Sequence, residues 1–333
     1  MKHLLYSIAV SAAMAFAGPG MGLAQGDQER PIDAVVTIGM IGDVVGSVGG
    51  DCVDVTAIMG PGVDPHLYQA SARDVNTFQS AEVIFYSGYS LEGQLGEVLG
   101  RFSQMKPTIA VSPSSIDPGQ LITVQDVYGI DPHLWMDAGL WANIAPAIGD
   151  ALAELRPDCA EAINANVEAY SEQLHALHAW VKESVATIPE EQRILVTAHD
   201  AFNYYGRAYG IEVAGIQGIS TESEAGVADI REMAKVVAER EVPAVFIEST
   251  INPRTIQAVI DAAQQQGHEV VIGGELYSDA MGEAGSVGGT YIGMIYENTK
   301  SIVTALSGEL QPFPDALESW AEEWDIADAA PAQ

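Results

Sequence analysis

Two histidines of this chain stand in repeated tetrapeptides that suit metal coordination. The run Asp-Pro-His-Leu occurs at 64–67 and again at 131–134. Proline fixes its own φ and biases the preceding aspartate toward an extended conformation, so each loop holds its imidazole in one direction. Because proline and aspartate are both scarce, a chance repeat is rare. The pattern therefore favours two metal ligands, His66 and His133, over two structural turn histidines.

A third histidine and an aspartate follow predicted strands later in the chain. His199 ends the apolar run 193–198, and Asp279 follows the run 269–272 by one loop. Open parallel sheets place their ligands at the carboxyl ends of the strands, where both side chains would lie. Taken alone, His199 also suits a structural histidine at the rim of a sheet and Asp279 a turn residue, and Glu275 is a rival carboxylate.

Three imidazoles and one carboxylate suit a divalent transition-metal ion. The predicted ligands are His66, His133, His199 and Asp279. Such a set closes a tetrahedral-like site and leaves no position open for a substrate. The other histidines fit structural roles better. His175 and His178 stand three apart on a predicted helix and favour a solvated face, and His268 precedes a strand as a loop residue.

One long helix is predicted between the two pairs of ligands. No Gly or Pro occurs between Pro157 and Pro189, and apolar residues recur there at steps of three or four. This periodicity predicts a helix over 158–188 with Asp158 as its N-cap. At 1.5 Å per residue the helix would be roughly 45 Å long, enough to join two lobes. Its apolar face contains Ile163, Val167, Tyr170, Leu174, Leu177, Val181, Val185 and Ile188.

Short apolar runs alternate with helical patterns on both sides of this helix. Strands are predicted at 34–39, 53–58, 82–86, 108–111, 193–198, 244–248 and 269–272. Helices are predicted at 71–80, 93–103, 138–155 (with Asp137 as its N-cap), 201–209, 223–240, 253–265 and 289–308. The alternation predicts an α/β fold with two lobes, each a parallel sheet flanked by helices, joined by the long helix. The predicted divisions are a signal peptide at 1–24, an N-terminal lobe at 25–157, the helix at 158–188, and a C-terminal lobe with an acidic tail at 189–333.

The beginning of the chain and its charge indicate an exported protein. Residues 1–24 have the three parts of a secretory signal peptide, with a cut after Ala24, which predicts a soluble periplasmic protein. No later apolar stretch is long enough to span a membrane. The net charge is −32, and removal of 1–24 takes away Lys2 and no acid, which gives −33. This charge argues against nucleic acid and anionic membranes as partners. We expect a monomer.

The chain has two cysteines, Cys52 and Cys159, which both remain after export. Because the periplasm is oxidising, a pair of cysteines predicts a disulfide bond between them. The alternative is two buried thiols. A bridge would fasten the N-terminal lobe to the beginning of the long helix.

Over nearly all of its mature length the chain resembles the zinc/manganese solute-binding proteins of ABC transporters, the TroA-like group. The segments that carry the resemblance are 59–68 (MGPGVDPHLY), 131–137 (DPHLWMD), 197–205 (TAHDAFNYY), 216–225 (IQGISTESEA), 246–250 (FIEST) and 273–282 (GGELYSDAMG). The resemblance implies two α/β lobes joined by a single long helix, with the metal between them. It also implies the four ligands already reached from the residues.

Two departures from the family bear on the choice of metal. Zinc-only members carry a His-rich, acidic loop between the first two ligands, whereas 112–130 contains no His and only Asp117 and Asp126. Manganese-selective members often have Glu as the third ligand, whereas this chain has His199, which favours ions that prefer nitrogen. We therefore expect zinc or manganese, with ferrous iron as a further option.

The resemblance implies high-affinity capture of the metal outside the cytoplasm and delivery to an inner-membrane ABC permease. Two alternatives are a periplasmic metal buffer or adhesin without a permease, and a secreted metallohydrolase in which Glu248 acts as a base. Against an enzyme, the sequence has no His-Glu-x-x-His motif. Because ligands must be deprotonated, affinity is expected to fall as pH drops through about 6, where histidine titrates.

Overall fold

A four-stranded parallel sheet organises the N-terminal lobe. The computed structural model describes residues 30–125 and 129–326, so the predicted signal peptide lies outside the described residues. The strands run in the order β2-β1-β3-β4 and are β1 Ile32–Val36, β2 Val53–Ala57, β3 Val83–Tyr86 and β4 Thr108–Ala110. The helices of this lobe are α1 Gly39–Gly49, α2 Ala72–Ser80, α3 Leu95–Phe102, α4 Val111–Ser115, α5 Ala138–Trp141 and α6 Ile144–Leu155. Parallel pairing directs the carboxyl ends of all four strands to one edge.

The long helix between the lobes is α7, Ala160–Val185, of 26 residues, or about 39 Å at 1.5 Å per residue. It begins later than predicted, because a 3-10 turn over Pro157–Cys159 precedes it and Cys159 is its N-cap. The prediction of Asp158 as the N-cap was therefore wrong, since Asp158 lies inside the turn that Pro157 starts. Most of the predicted apolar face is buried, and the buried residues are Ile163, Tyr170, Leu174, Leu177, Trp180, Val181, Ser184 and Val185.

Two parallel strand pairs form the C-terminal lobe. They are β5 Ile194–His199 with β6 Glu212–Gln217, and β7 Ala244–Glu248 with β8 Val271–Leu276. Strands β5 and β7 lie side by side. The helices that follow α7 are α8 Asn203–Tyr209, α9 Val227–Glu239, α10 Arg254–Gln265, α11 Tyr291–Ala305 and α12 Glu318–Glu323. The predicted fold class, two α/β lobes joined by one long helix, is confirmed.

The apolar core crosses from one lobe into the other. One cluster of buried residues runs from the N-terminal sheet through α7 to α8 and α11, and includes Val36, Leu174 and Tyr291. A second cluster lies between the C-terminal strands and α9 and α10. A disulfide between Cys52 and Cys159 joins the beginning of β2 to the beginning of α7 across 107 residues of sequence. Within the described residues, no helix is both long and apolar enough to cross a membrane.

Several local predictions differ from the structure, including a first strand that covers Ile32–Val36 rather than 34–39 and a short helix, α4, that was not predicted. Helix α1 was not predicted, because glycines interrupt its apolar pattern. Strand β6 was not predicted, because its pattern of polar and apolar residues is mixed. The single helix predicted over 138–155 is two helices, α5 and α6, separated at 142–143. Strand β8 runs on through Gly273 and Gly274 to Leu276, beyond the predicted 269–272, with an irregular register opposite β7. The residue boundaries of the lobes remain predictions.

Candidate metal centre

The four predicted ligands meet at one point between the lobes. Each offers one ligand atom, and these atoms all lie within 4.8 Å of one another. Among the described residues they form the one cluster of this kind. Both pairs therefore reach the same place, one from loops before α7 and one from a strand end and a loop after it, as the sequence predicted.

The distances in the cluster suit a small ion. Nε2 of His66 is 3.3 Å from Nε2 of His133 and 3.7 Å from Oδ2 of Asp279. Asp279 places Oδ1 at 3.3 Å from Nε2 of His133 and Oδ2 at 3.3 Å from Nε2 of His199. In a tetrahedral site with bonds of about 2.1 Å, neighbouring ligand atoms lie about 3.4 Å apart. The arrangement is therefore close to a preformed coordination shell.

The cluster is sealed from solvent and short of hydrogen-bond partners. All four side chains are at most 1 % exposed. Nε2 of His199 and both carboxylate oxygens of Asp279 are buried without a hydrogen bond among the described residues. Leaving such groups unpaired in the interior is costly. A bound cation removes that cost, because it accepts a lone pair from each of these groups once the imidazoles are deprotonated.

The first ligand loop is fixed by its aspartate. Oδ1 of Asp64 accepts a hydrogen bond from the backbone N–H of His66 at 2.8 Å, an Asx turn around the intervening proline. Gly93 lies against this loop with φ +44°, and a Cβ there would be 2.5 Å from the carbonyl oxygen of His66. Only glycine tolerates both that φ and that approach. The sequence left the role of the aspartate open, and the structure assigns it to holding the turn.

The second ligand loop repeats the same geometry and adds a bond to the ring. Oδ1 of Asp131 accepts from the backbone N–H of His133 at 3.0 Å and lies 2.8 Å from its Nδ1. In the neutral ring that a metal requires, Nδ1 donates to Asp131 and the lone pair of Nε2 is directed at the cluster. A hydrogen bond of this kind on the other ring nitrogen orients a metal-binding histidine.

Glu248 does the same for His199 from the neighbouring strand. Its Oε1 accepts from the backbone N–H of His199 at 2.9 Å, and its Oε2 lies 2.5 Å from Nδ1 of the ring. Both residues end their strands, β5 and β7, which lie side by side. Sequence reasoning considered Glu248 only as a catalytic base. Its position at a strand end, like that of His199, is visible in the sequence, but the adjacency of β5 and β7 that makes it a partner is not.

The loop that carries Asp279 is fastened from two directions. Asn298 on α11 exchanges two hydrogen bonds with the backbone of Tyr277, at 2.8 and 2.7 Å. From the N-terminal lobe, Nε1 of Trp135 donates to the carbonyl oxygen of Ser278 at 2.9 Å. Sequence reasoning identified none of these contacts, because they join segments far apart in the chain.

Burial and neighbouring charge move the pKa values of the histidines in opposite directions. Burial lowers the pKa of His66 to about 4. Burial acts the same way on His133, but the charges of Asp131 and Asp279 outweigh it and raise its pKa to about 9. His66 is therefore neutral at pH 7 and His133 is charged in the metal-free protein.

Neighbouring charges also outweigh burial in setting the pKa values of His199 and Asp279. Burial would lower the pKa of His199, but Glu248 and Asp279 hold it well above its usual range. Burial would raise the pKa of Asp279, but His199 and His133 hold it well below its usual range. An ion of charge +2 at this place favours the deprotonated imidazoles, so metal binding releases protons from the cluster.

The remaining candidates have other roles. Glu275 is exposed on β8 and is not part of the cluster. His178 places Nδ1 at 3.0 Å from Oδ1 of Asp137, the residue that caps α5. His268 places Nε2 at 2.8 Å from the carbonyl oxygen of Val242. These histidines are structural, as the sequence predicted for His268, whereas the prediction of a purely solvated face was wrong for His178.

Comparison with known proteins identifies the family. The model of the family described as "ZnuA: Zinc-uptake complex component A periplasmic" matches residues 34–305. This chain is a member of the ZnuA family. Similar proteins include the manganese-binding lipoprotein MntA of Bacillus subtilis, 40 % identical over 306 residues, which are 92 % of this chain and 100 % of that protein. The resemblance to the TroA-like group is thereby confirmed.

A solved structure of a similar protein shares the fold. The zinc-binding protein TroA of Treponema pallidum is 45 % identical over 273 residues, which are 82 % of this chain and 88 % of that protein. The structure of periplasmic TroA superposes with a TM-score of 0.81 and covers 83 % of this chain and 99 % of its own, at 44 % identity. The metal ABC transporter substrate-binding lipoprotein SsaB of Streptococcus sanguinis is 29 % identical over 282 residues, 83 % of this chain and 89 % of that protein.

Proposed function

We propose that this chain binds one zinc or manganese ion outside the cytoplasm and delivers it to the permease of an ABC importer. The observation that carries the proposal is the buried convergence of three imidazole nitrogens and one carboxylate, with Nε2 of His199 and the oxygens of Asp279 left without hydrogen bonds. Membership of a family of zinc-uptake components supports the delivery step. His66, His133, His199 and Asp279 are the proposed ligands.

The ligand set admits more than one ion. Three imidazoles favour zinc, while the two free oxygens of Asp279 can raise the coordination number for manganese. The relatives divide in the same way, since TroA is zinc-binding and MntA is manganese-binding. Intrinsic affinity follows the usual divalent order, with zinc above manganese and ferrous iron between them. The ion that is transported also depends on which is available to the cell.

The alternatives have less support. An enzyme needs an open coordination position and a base, but the four ligands close the shell and Glu248 uses both oxygens on His199. A buffer or adhesin without a permease has no support from the relatives, among which SsaB is named as a substrate-binding lipoprotein of a metal ABC transporter. A periplasmic location after cleavage behind Ala24, a monomeric state and the lobe boundaries belong to the same proposal.

Metal content after native purification and competition titrations with zinc and manganese test the binding. His133→Ala is expected to lose most of the bound metal, because it removes one of four ligands. His175→Ala is the matched control, since His175 is exposed on α7 and is not part of the cluster. Unchanged stoichiometry and affinity in His133→Ala would contradict the assignment. Uptake of labelled metal by a deletion strain, with and without the gene restored, tests delivery.

A further inference from the structure

The aspartates of the two Asp-Pro-His motifs use their carboxylate oxygens in two directions. In both, Oδ1 holds the backbone N–H of the histidine in its own loop. In both, Oδ2 reaches the opposite lobe. Oδ2 of Asp64 accepts from Oγ1 of Thr221 at 2.6 Å, and Oδ2 of Asp131 accepts from Nδ2 of Asn203 at 3.1 Å.

The partners of these aspartates lie in the C-terminal lobe. Thr221 stands in the loop between β6 and α9 and is 6 % exposed, and Asn203 is the first residue of α8. A short hydrogen bond from a hydroxyl to a carboxylate is among the stronger ones, and partial burial of this contact limits the access of water. One carboxylate therefore both orients a metal-facing histidine and joins that histidine's loop to the other half of the protein.

We propose that Asp64 and Asp131 are positioning residues that latch the lobes together around the ion, an inference that rests on the proposed function. Opening the lobes breaks the Oδ2 bonds and frees the carboxylate that holds each histidine loop. Closing the lobes restores both together. Lobe closure and the orientation of His66 and His133 are thus linked through two side chains that do not themselves bind the metal.

The two latches differ in strength. The second ligand loop has three additional hydrogen bonds to the C-terminal lobe: from the Tyr204 hydroxyl to the Asp131 carbonyl oxygen at 3.0 Å, from Nε1 of Trp135 to Ser278, and from the Tyr291 hydroxyl to the Trp135 carbonyl oxygen at 2.6 Å. The side chain of the first loop's aspartate reaches that lobe through Thr221, and Leu67 beside His66 is 53 % exposed. The geometry therefore places the first opening at the His66 side, where the hydroxyl of Thr221 controls release.

Release of zinc into excess chelator, followed by stopped flow, tests this latch. Thr221→Val keeps the shape of the side chain and removes its hydroxyl. Loss of one hydrogen bond to a charged group predicts release about 10- to 100-fold faster. Thr221→Ser restores the hydroxyl and is expected to restore slow release. Ser223→Ala, an exposed position in the same loop, is the matched control, and Thr221→Ala provides a second variant that lacks the hydroxyl.

The visible spectrum of the cobalt(II) protein separates a latch from a change in coordination. We expect the same spectrum in Thr221→Val and in the unmodified chain, because the four ligands are unchanged. Release at the unmodified rate in both hydroxyl-free variants would overturn the proposal, and so would an altered cobalt spectrum. If the unmodified chain binds neither zinc nor cobalt, the proposed function fails and the latch fails with it, which is evident before any variant is made.

Discussion

Replacing Glu248 by glutamine tests how much the hydrogen bonds that orient His199 contribute to metal affinity. The carboxylate accepts two hydrogen bonds, from the backbone N–H of His199 and from Nδ1–H of its ring. Glutamine has one acceptor and one donor group in the same place. In Glu248→Gln the amide NH₂ must therefore face one of the two N–H groups of His199, which removes that hydrogen bond. The alternative is that the His199 ring carries its proton on Nε2, where the proton points toward the ion.

Either outcome has a cost that can be estimated. A hydrogen bond to a charged group contributes about 1.5–3 kcal/mol. Loss of a residue that hydrogen-bonds to a metal ligand typically lowers metal affinity about 10- to 100-fold, equivalent to about 1.4–2.7 kcal/mol. The two estimates agree because the contact is fully buried, where water cannot replace it. We expect Glu248→Gln to bind zinc within this range of weakened affinity at pH 8, with a single ion still bound.

Competition with a chromogenic chelator at pH 8 measures the change. Glu275→Gln is the control, since it makes the same chemical change in the same lobe on the exposed side of β8. The comparison separates the local hydrogen bonds from the general loss of one negative charge. Equal zinc affinity in Glu248→Gln and Glu275→Gln would refute the assignment of Glu248 as the residue that orients His199.

Two further predictions follow from the charges and from the disulfide. Because the pKa of His133 is raised to about 9 and that of His199 is raised as well, zinc displaces at least one proton, and affinity should fall by about 10-fold or more for each pH unit between 8 and 6; competition titrations across this range check the slope, and a flat profile would contradict it. Replacing Cys52 and Cys159 together by serine removes a link across 107 residues and should lower the free energy of unfolding by about 2–5 kcal/mol in urea titrations. Zinc affinity should stay the same, because the bond lies at the amino end of β2, and a loss of affinity would show that the bond also shapes the site.

Three of the four proposed ligands were predictable from local signals, whereas the sequence left Glu275 as a rival to Asp279. The Asp-Pro-His motif occurs twice, and His199 ends a short apolar run whose carboxyl end had to face a cleft. The partners of these residues were not predictable, because they depend on which strands and loops become neighbours. The role of Glu248 follows from the adjacency of β5 and β7, and the role of Thr221 follows from the approach of two lobes.

The secondary structure shows the same limit. Helix α7 was predicted because 26 residues without Gly or Pro keep one apolar stripe. Helix α1 was not, because Gly42, Gly46 and Gly49 lower helix propensity by about 1 kcal/mol each. The helix forms because it packs closely against the sheet. A Cβ at Gly49 would lie 2.2 Å from Cγ1 of Val53, and a Cβ at Gly42 would lie 3.2 Å from Cγ2 of Val36. The glycines allow the helix to lie close to the sheet. This explanation for the glycines is evident only from the folded structure.

One apolar core passes from the N-terminal sheet through α7 to α11. Neither half of this protein therefore has a complete core of its own. A fragment ending after α6 would leave Val48, Ile148 and their neighbours without the helix that covers them. Such a fragment would also carry only two of the four proposed ligands. Each lobe expressed alone would therefore lack both a complete core and a complete set of proposed ligands.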